Sequence, residues 1–138
     1  MNKIFIAMLM TLLGTSGHAA TYTKYICKDR ASGKTIALFG VQRDCSALPL
    51  GCAYVEYGNY QKAIGTYNYH ESQCPSRLCG DYTLQLKARS TGMSPQWPVE
   101  FVTIGINNYS GFITGKIQFE MAGKQSPLLF NVECTIQP

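Results

Sequence analysis

The feature that most restricts the fold is a period-two alternation of apolar and polar residues through the second half of the chain. Tyr82, Leu84, Leu86 and Ala88 alternate with Thr83, Gln85, Lys87 and Arg89. Ile113, Ile117, Phe119 and Met121 alternate with Thr114, Lys116, Gln118 and Glu120, and Leu128, Phe130, Val132, Cys134 and Ile136 alternate with Asn131, Glu133 and Thr135. Successive side chains of an extended strand project to opposite faces, so the pattern predicts three strands that each bury one side. A fourth strand is expected over Val99 to Ile106, which is β-branched and aromatic. Behind it, Asn107-Asn108-Tyr109-Ser110-Gly111 holds residues that tolerate a tight reversal. With Ala122-Gly123-Lys124 as the next reversal, Val99 to Ile136 reads as a three-stranded antiparallel meander.

The first half is less regular. Tyr22 to Lys28 and Thr35 to Val41 are expected strands joined by the Ser32-Gly33 turn, with Gly40 weakening the end of the second. From Ala53 to Tyr69 two patterns compete, since Tyr57, Tyr60 and Ile64 suit a short helix while Tyr67 and Tyr69 suit one face of a strand. Gly58 and Gly65 argue for broken structure there. No long helical stripe, repeat or low-complexity run occurs. The expected fold is therefore all-β: a small disulfide-stapled β-sandwich or β-barrel, mainly antiparallel, ending in the meander. An immunoglobulin domain is disfavoured, because its usual cue is a tryptophan shortly after the first cysteine, whereas the single tryptophan, Trp97, lies far downstream of Cys27 in a proline-flanked stretch.

Residues 1–19 read as a cleaved signal peptide: Lys3 supplies the positive n-region, Ile4 to Leu13 the apolar h-region, and Gly17-His18-Ala19 the small residues a signal peptidase recognises. Residues 20–138 are then one extracytoplasmic domain of about 118 residues, secreted or periplasmic, with no membrane insertion. All six cysteines follow the expected cleavage point, so the default is three disulfides. Six cysteines permit fifteen pairings. Cys27 and Cys134 fall on inward faces of the first and last strands and are expected to pair, with Cys45–Cys52 and Cys74–Cys79 as local staples.

The chemistry-bearing inventory is thin. Beyond the signal the sole histidine is His70, beside Glu71, and the eight carboxylates are dispersed. No nucleophile elbow, zinc-binding helix or phosphate-cradling glycine loop occurs. No catalytic residue, cofactor or metal is expected, the cysteines being assigned to bridges, and the modest positive charge is spread too evenly for nucleic acid. The one unusual feature is a run of tyrosines: Tyr54, Tyr57, Tyr60, Tyr67 and Tyr69, mixed with Asn59, Gln61, Asn68 and His70. Aromatic faces stack on sugar rings or partner side chains at low entropic cost, and amides add directional hydrogen bonds. The same spacing also suits cross-strand packing. Together with Trp97 these residues form a candidate surface for a protein or glycan ligand. The expected function is an exported binding module of the inhibitor, adhesin or toxin-binding-subunit type, with an assembly subunit or a small hydrolase as alternatives. The sequence leaves the oligomeric state open.

Overall fold

A computed structural model describes residues 22–42, 52–58, 61–71, 81–92, 98–123 and 126–138. They form β1 (Tyr22–Asp29), β2 (Thr35–Gln42), β3 (Ala53–Tyr57), β4 (Gln61–Glu71), β5 (Tyr82–Ser90), β6 (Val99–Tyr109), β7 (Phe112–Met121) and β8 (Leu128–Gln137). Each strand pairs antiparallel with the next, and β1 pairs with β8, which closes the sheet into an eight-stranded barrel. Closure leaves none of these strands with an unpaired edge.

The period-two pattern assigns the faces. Phe39, Val55, Leu84, Leu86, Ile104, Ile106, Ile117, Phe119 and Val132 point inward and are fully buried or nearly so. The outward positions carry lysine, arginine or glutamate on every strand except β2, among them Lys24, Glu56, Lys62, Lys87, Glu100, Lys116 and Glu133. An eight-stranded barrel has an interior just wide enough for side chains to fill, and this one is filled by a single apolar cluster.

The tight curvature appears in two inward-facing glycines. A Cβ on Gly65 would sit 1.9 Å from the Lys87 carbonyl oxygen, and one on Gly115 would sit 1.9 Å from that of Gly105. Neighbouring backbones therefore approach too closely for any side chain, the usual role of glycine at a barrel corner. Gly40, by contrast, faces outward and lies under the Tyr54 ring, within 2.4 Å of where its Cβ would be. Strand β2 continues through Gly40 to Gln42 because the ring of the cross-strand neighbour covers the gap.

The ambiguous segment is a β-hairpin. β3 and β4 flank Gly58, which adopts a positive φ, and the short-helix alternative is not realised. Tyr57 and Ile64, which would share a helix face, lie on opposite sides of the sheet: Tyr57 is buried and Ile64 exposed. The meander is present as β6, β7 and β8. Its first reversal is a two-residue turn with Ser110 and Gly111 both at positive φ, the backbone that matches the twist of the strands it joins.

Cys27 and Cys134 are directly opposed across the closing β1–β8 pair, with Cα atoms 4.1 Å apart, and they form a disulfide. The covalent bond thus fastens the seam at which the barrel closes. Cys52 is also disulfide-bonded. Cys45, Cys74 and Cys79 lie outside the described residues, and with them the expected Cys45–Cys52 and Cys74–Cys79 staples.

Candidate functional site

The two ends of the barrel differ. At one end, where β3 meets the turn at Gly58, the Tyr57 ring packs 5.3 Å from Phe119, and Phe119 lies edge-on to Phe130 at 6.0 Å. These rings plug the interior. At the other end, where β1, β3, β5 and β7 begin, the described residues leave a cavity of about 400 Å³ lined by Thr23, Tyr25, Val41, Tyr67, Tyr69, Glu71 and Leu84. That volume is within the range of small-molecule sites.

The inward face of β4 runs Ala63, Gly65, Tyr67, Tyr69, Glu71, so one strand supplies two rings and then a carboxylate. Tyr67 donates its hydroxyl to the carbonyl of Gln42 at 2.5 Å, which ties β4 to the end of β2. Tyr69 packs 5.0 Å from Tyr82, the inward residue that opens β5. The Tyr82 and Tyr25 hydroxyls share a buried hydrogen bond of 2.8 Å, and Tyr25 stacks on Phe39 at 4.6 Å. The floor of the cavity is therefore a braced set of rings, with the Tyr25, Tyr67 and Tyr82 hydroxyls bonded within the protein. Glu71 stands above it at the exposed end of β4.

At the same end of the barrel the β6–β7 hairpin carries two aromatic residues at outward register positions. Tyr109 and Phe112 face each other across the turn and are each 71% exposed. The turn is pinned: the Ser110 amide donates to Asp81 Oδ1 at 2.9 Å and the Gly111 amide to Asn108 Oδ1 at 3.1 Å. Ile136, opposite Tyr25 in register, is half-exposed at the same end.

The tyrosines singled out from the sequence are distributed over three environments. Tyr67 and Tyr69 line the open end. Tyr57 is 4% exposed in the plug at the opposite end, where it donates to Ser90 Oγ at 3.0 Å. Tyr54 is on the outer wall, edge-on to Tyr22 at 5.2 Å with the Lys62 ammonium 5.3 Å from its ring centre. Burial, reinforced by the negative charge of Glu56 and by Tyr22, holds the Tyr54 hydroxyl above its ordinary pKa of 10.0. Tyr60 and Trp97 lie outside the described residues.

Sequence reasoning missed Tyr25, Glu71, Tyr82, Tyr109 and Phe112. Glu71 carried a readable signal: it continues the alternation of Tyr67 and Tyr69, so a carboxylate falls on the face that elsewhere is apolar. His70, its neighbour, points to the outer side, so the two do not share a cleft.

A larger and more open groove of about 630 Å³ runs over β2, β3 and β4 near the plugged end, lined by Ile36, Leu38, Glu56 and Lys62 among others. Glu56 and Lys62 are cross-strand neighbours there and offset each other's charge. No protein-family model, no curated protein and no solved structure matches this chain.

Proposed function

We propose that this protein is an exported binding module whose open barrel end, around Tyr67, Tyr69 and Glu71, recognises a glycan, an envelope component or a protein partner. The observation that carries the reading is a ring-lined cavity at one end of the barrel, with two exposed aromatic residues on a pinned turn at the outer wall of that same end, while rings fill the interior at the other. Rigid aromatic side chains held before binding lose little entropy on association, which is why they dominate recognition surfaces.

Two further observations support the placement and the class. The Cys27–Cys134 disulfide is compatible with an oxidising compartment, in keeping with the signal-like start of the sequence. The outward faces carry charge while the interior is apolar, the reverse of a membrane-spanning barrel, and this favours a domain surrounded by water. Assembly through sheet edges is the weaker alternative, since the described strands are all paired on both sides.

The test is capture from a glycan array and from envelope extract by the oxidised mature protein, wild type against Tyr69→Ala and Phe112→Ala. Leu129→Ala, an exposed outer-wall change at the plugged end, serves as control. Loss of a specific ligand in the first two with retention in the control is expected. Equal capture by all three variants would move the site away from the open end.

A further inference from the structure

We propose that the open end of the barrel binds an organic ammonium ion, held between the faces of Tyr67 and Tyr69 and the carboxylate of Glu71. The inference rests on the binding reading above and narrows it to a ligand chemistry.

The argument begins with which groups in the cavity remain available. Neutral sugars are recognised largely through hydrogen bonds to their hydroxyls, and two of the tyrosine hydroxyls at the cavity already bond internally: Tyr67 to the Gln42 carbonyl, and Tyr25 to Tyr82. The cavity therefore offers ring surface more than hydrogen-bonding tips. Ring faces are electron-rich and attract cations, and aromatic cages of this kind suit quaternary and alkyl ammonium groups.

Glu71 is the only formal charge among the described residues lining the cavity. It follows Tyr67 and Tyr69 on the same face of one strand, so ring, ring and carboxylate succeed each other at about 7 Å intervals along the backbone. Glu71 is a carboxylate at the exposed end of the inward face of β4, where the alternation elsewhere on that strand places Ala63, Gly65 and two rings, and departures from the binary pattern concentrate at functional sites. The chain as a whole carries a formal charge of +4, so its overall field repels cations. An ammonium ion retained at this end would be held by local groups against that field.

The test is titration of the ¹⁵N-labelled, oxidised mature protein with tetramethylammonium, choline and glucosamine. Neutral comparators are tert-butanol for the first two and N-acetylglucosamine for the third. Saturable shifts of the Tyr69, Glu71 and Leu84 amides are expected with choline or glucosamine, whichever fits better identifying a trimethylated or a primary ammonium as the preferred head group. Each cation is expected to bind at least about fivefold more tightly than its neutral comparator, a difference that Glu71→Gln removes and that added salt weakens. The amide spectrum itself verifies that the variant is folded. Equal binding of cation and comparator, or an unchanged preference in Glu71→Gln, overturns the ammonium assignment while leaving the open end as a binding site. No shift at these amides with any compound also overturns it. The Tyr69→Ala capture experiment then reports separately on the broader reading.

Discussion

Gly105 and Gly115 provide a matched pair that tests the barrel geometry. They lie on adjacent strands within one residue of register, and neither has a positive φ, so alanine meets no conformational penalty at either. Their surroundings differ completely. A Cβ on Gly105 has nothing within 4 Å, whereas one on Gly115 would lie 1.9 Å from the Gly105 carbonyl oxygen and 2.7 Å from the Ile106 Cα. Both obstructing atoms are backbone, so no side chain can swing aside and the β6–β7 ladder itself must open. Overpacking costs about 1–3 kcal/mol when side chains can adjust, and each disrupted ladder hydrogen bond adds about 1 kcal/mol, so Gly115→Ala should destabilise by about 3–5 kcal/mol. Gly105→Ala should instead stabilise by about 0.4–1 kcal/mol through the reduced freedom of the unfolded chain. With a urea dependence of about 2 kcal/mol per molar, the two midpoints should differ by about 2 M in equilibrium denaturation of the oxidised protein. Gly65→Ala should behave like Gly115→Ala, its Cβ meeting the Lys87 carbonyl oxygen at the same distance. Midpoints for Gly105→Ala and Gly115→Ala within about 0.3 M of each other would refute the close approach and the coiling inferred from it.

Three other outcomes are expected. Replacing Cys27 and Cys134 together by alanine opens a loop with a sequence separation of 107 residues, which chain-entropy arithmetic equates to a loss of about 4.8 kcal/mol, measurable by denaturation with the remaining cysteines left oxidised. Tyr25→Phe and Tyr82→Phe each remove the hydrogen bond between the two hydroxyls and should cost about 0.5–1.5 kcal/mol, while the double variant should fall short of the sum by about 1 kcal/mol, as a double-mutant cycle would show. The Asp29 carboxylate, whose pKa is lowered below 3.8 chiefly by the Ser32 hydroxyl and also by the Ala31 and Ser32 amides, contributes stability that is present above its unfolded value and is lost as pH falls through its native one; carbon-detected titration should find its midpoint below 3.8, and Ser32→Ala should raise it.

Much of the fold was legible because each strand's alternation is local. Leu84-Gln85-Leu86-Lys87-Ala88 identifies a strand and its buried face without reference to anything else in the chain. The choice between sandwich and barrel was not, because closure depends on pairing β1 with β8, elements more than a hundred residues apart. Its local traces were Gly65 and Gly115, inward-facing positions at which a side chain is missing, and these are interpretable only once the neighbouring backbone is in place. The region from Ala53 to Tyr69 reads ambiguously for a different reason. Tyr57 and Ile64 are seven apart, a helical spacing, yet Gly58 reverses the chain between them and puts them on opposite faces.

The candidate site was legible by half. Tyr67 and Tyr69 could be placed on one strand face from their spacing, but proximity in sequence is a poor guide to proximity in a barrel. Tyr54 and Tyr57, three residues apart, end on the outer wall and in the far plug. Tyr25 and Tyr82, separated by 57 residues, share a hydrogen bond beneath the cavity. Strand register brought these residues together, and register is set by the whole closed sheet.

The central claim is that recognition occurs at the open end of the barrel, and the most direct measurement is amide chemical-shift mapping of the oxidised chain of residues 20–138 with a ligand captured from glycan array or envelope extract. The account predicts perturbations at Thr23, Val41, Tyr69, Glu71 and Leu84, extending to the Tyr109–Phe112 turn. Perturbations centred on the Asp29–Lys34 turn or on Leu128 and Leu129 at the plugged end, or the absence of any captured ligand, would contradict it.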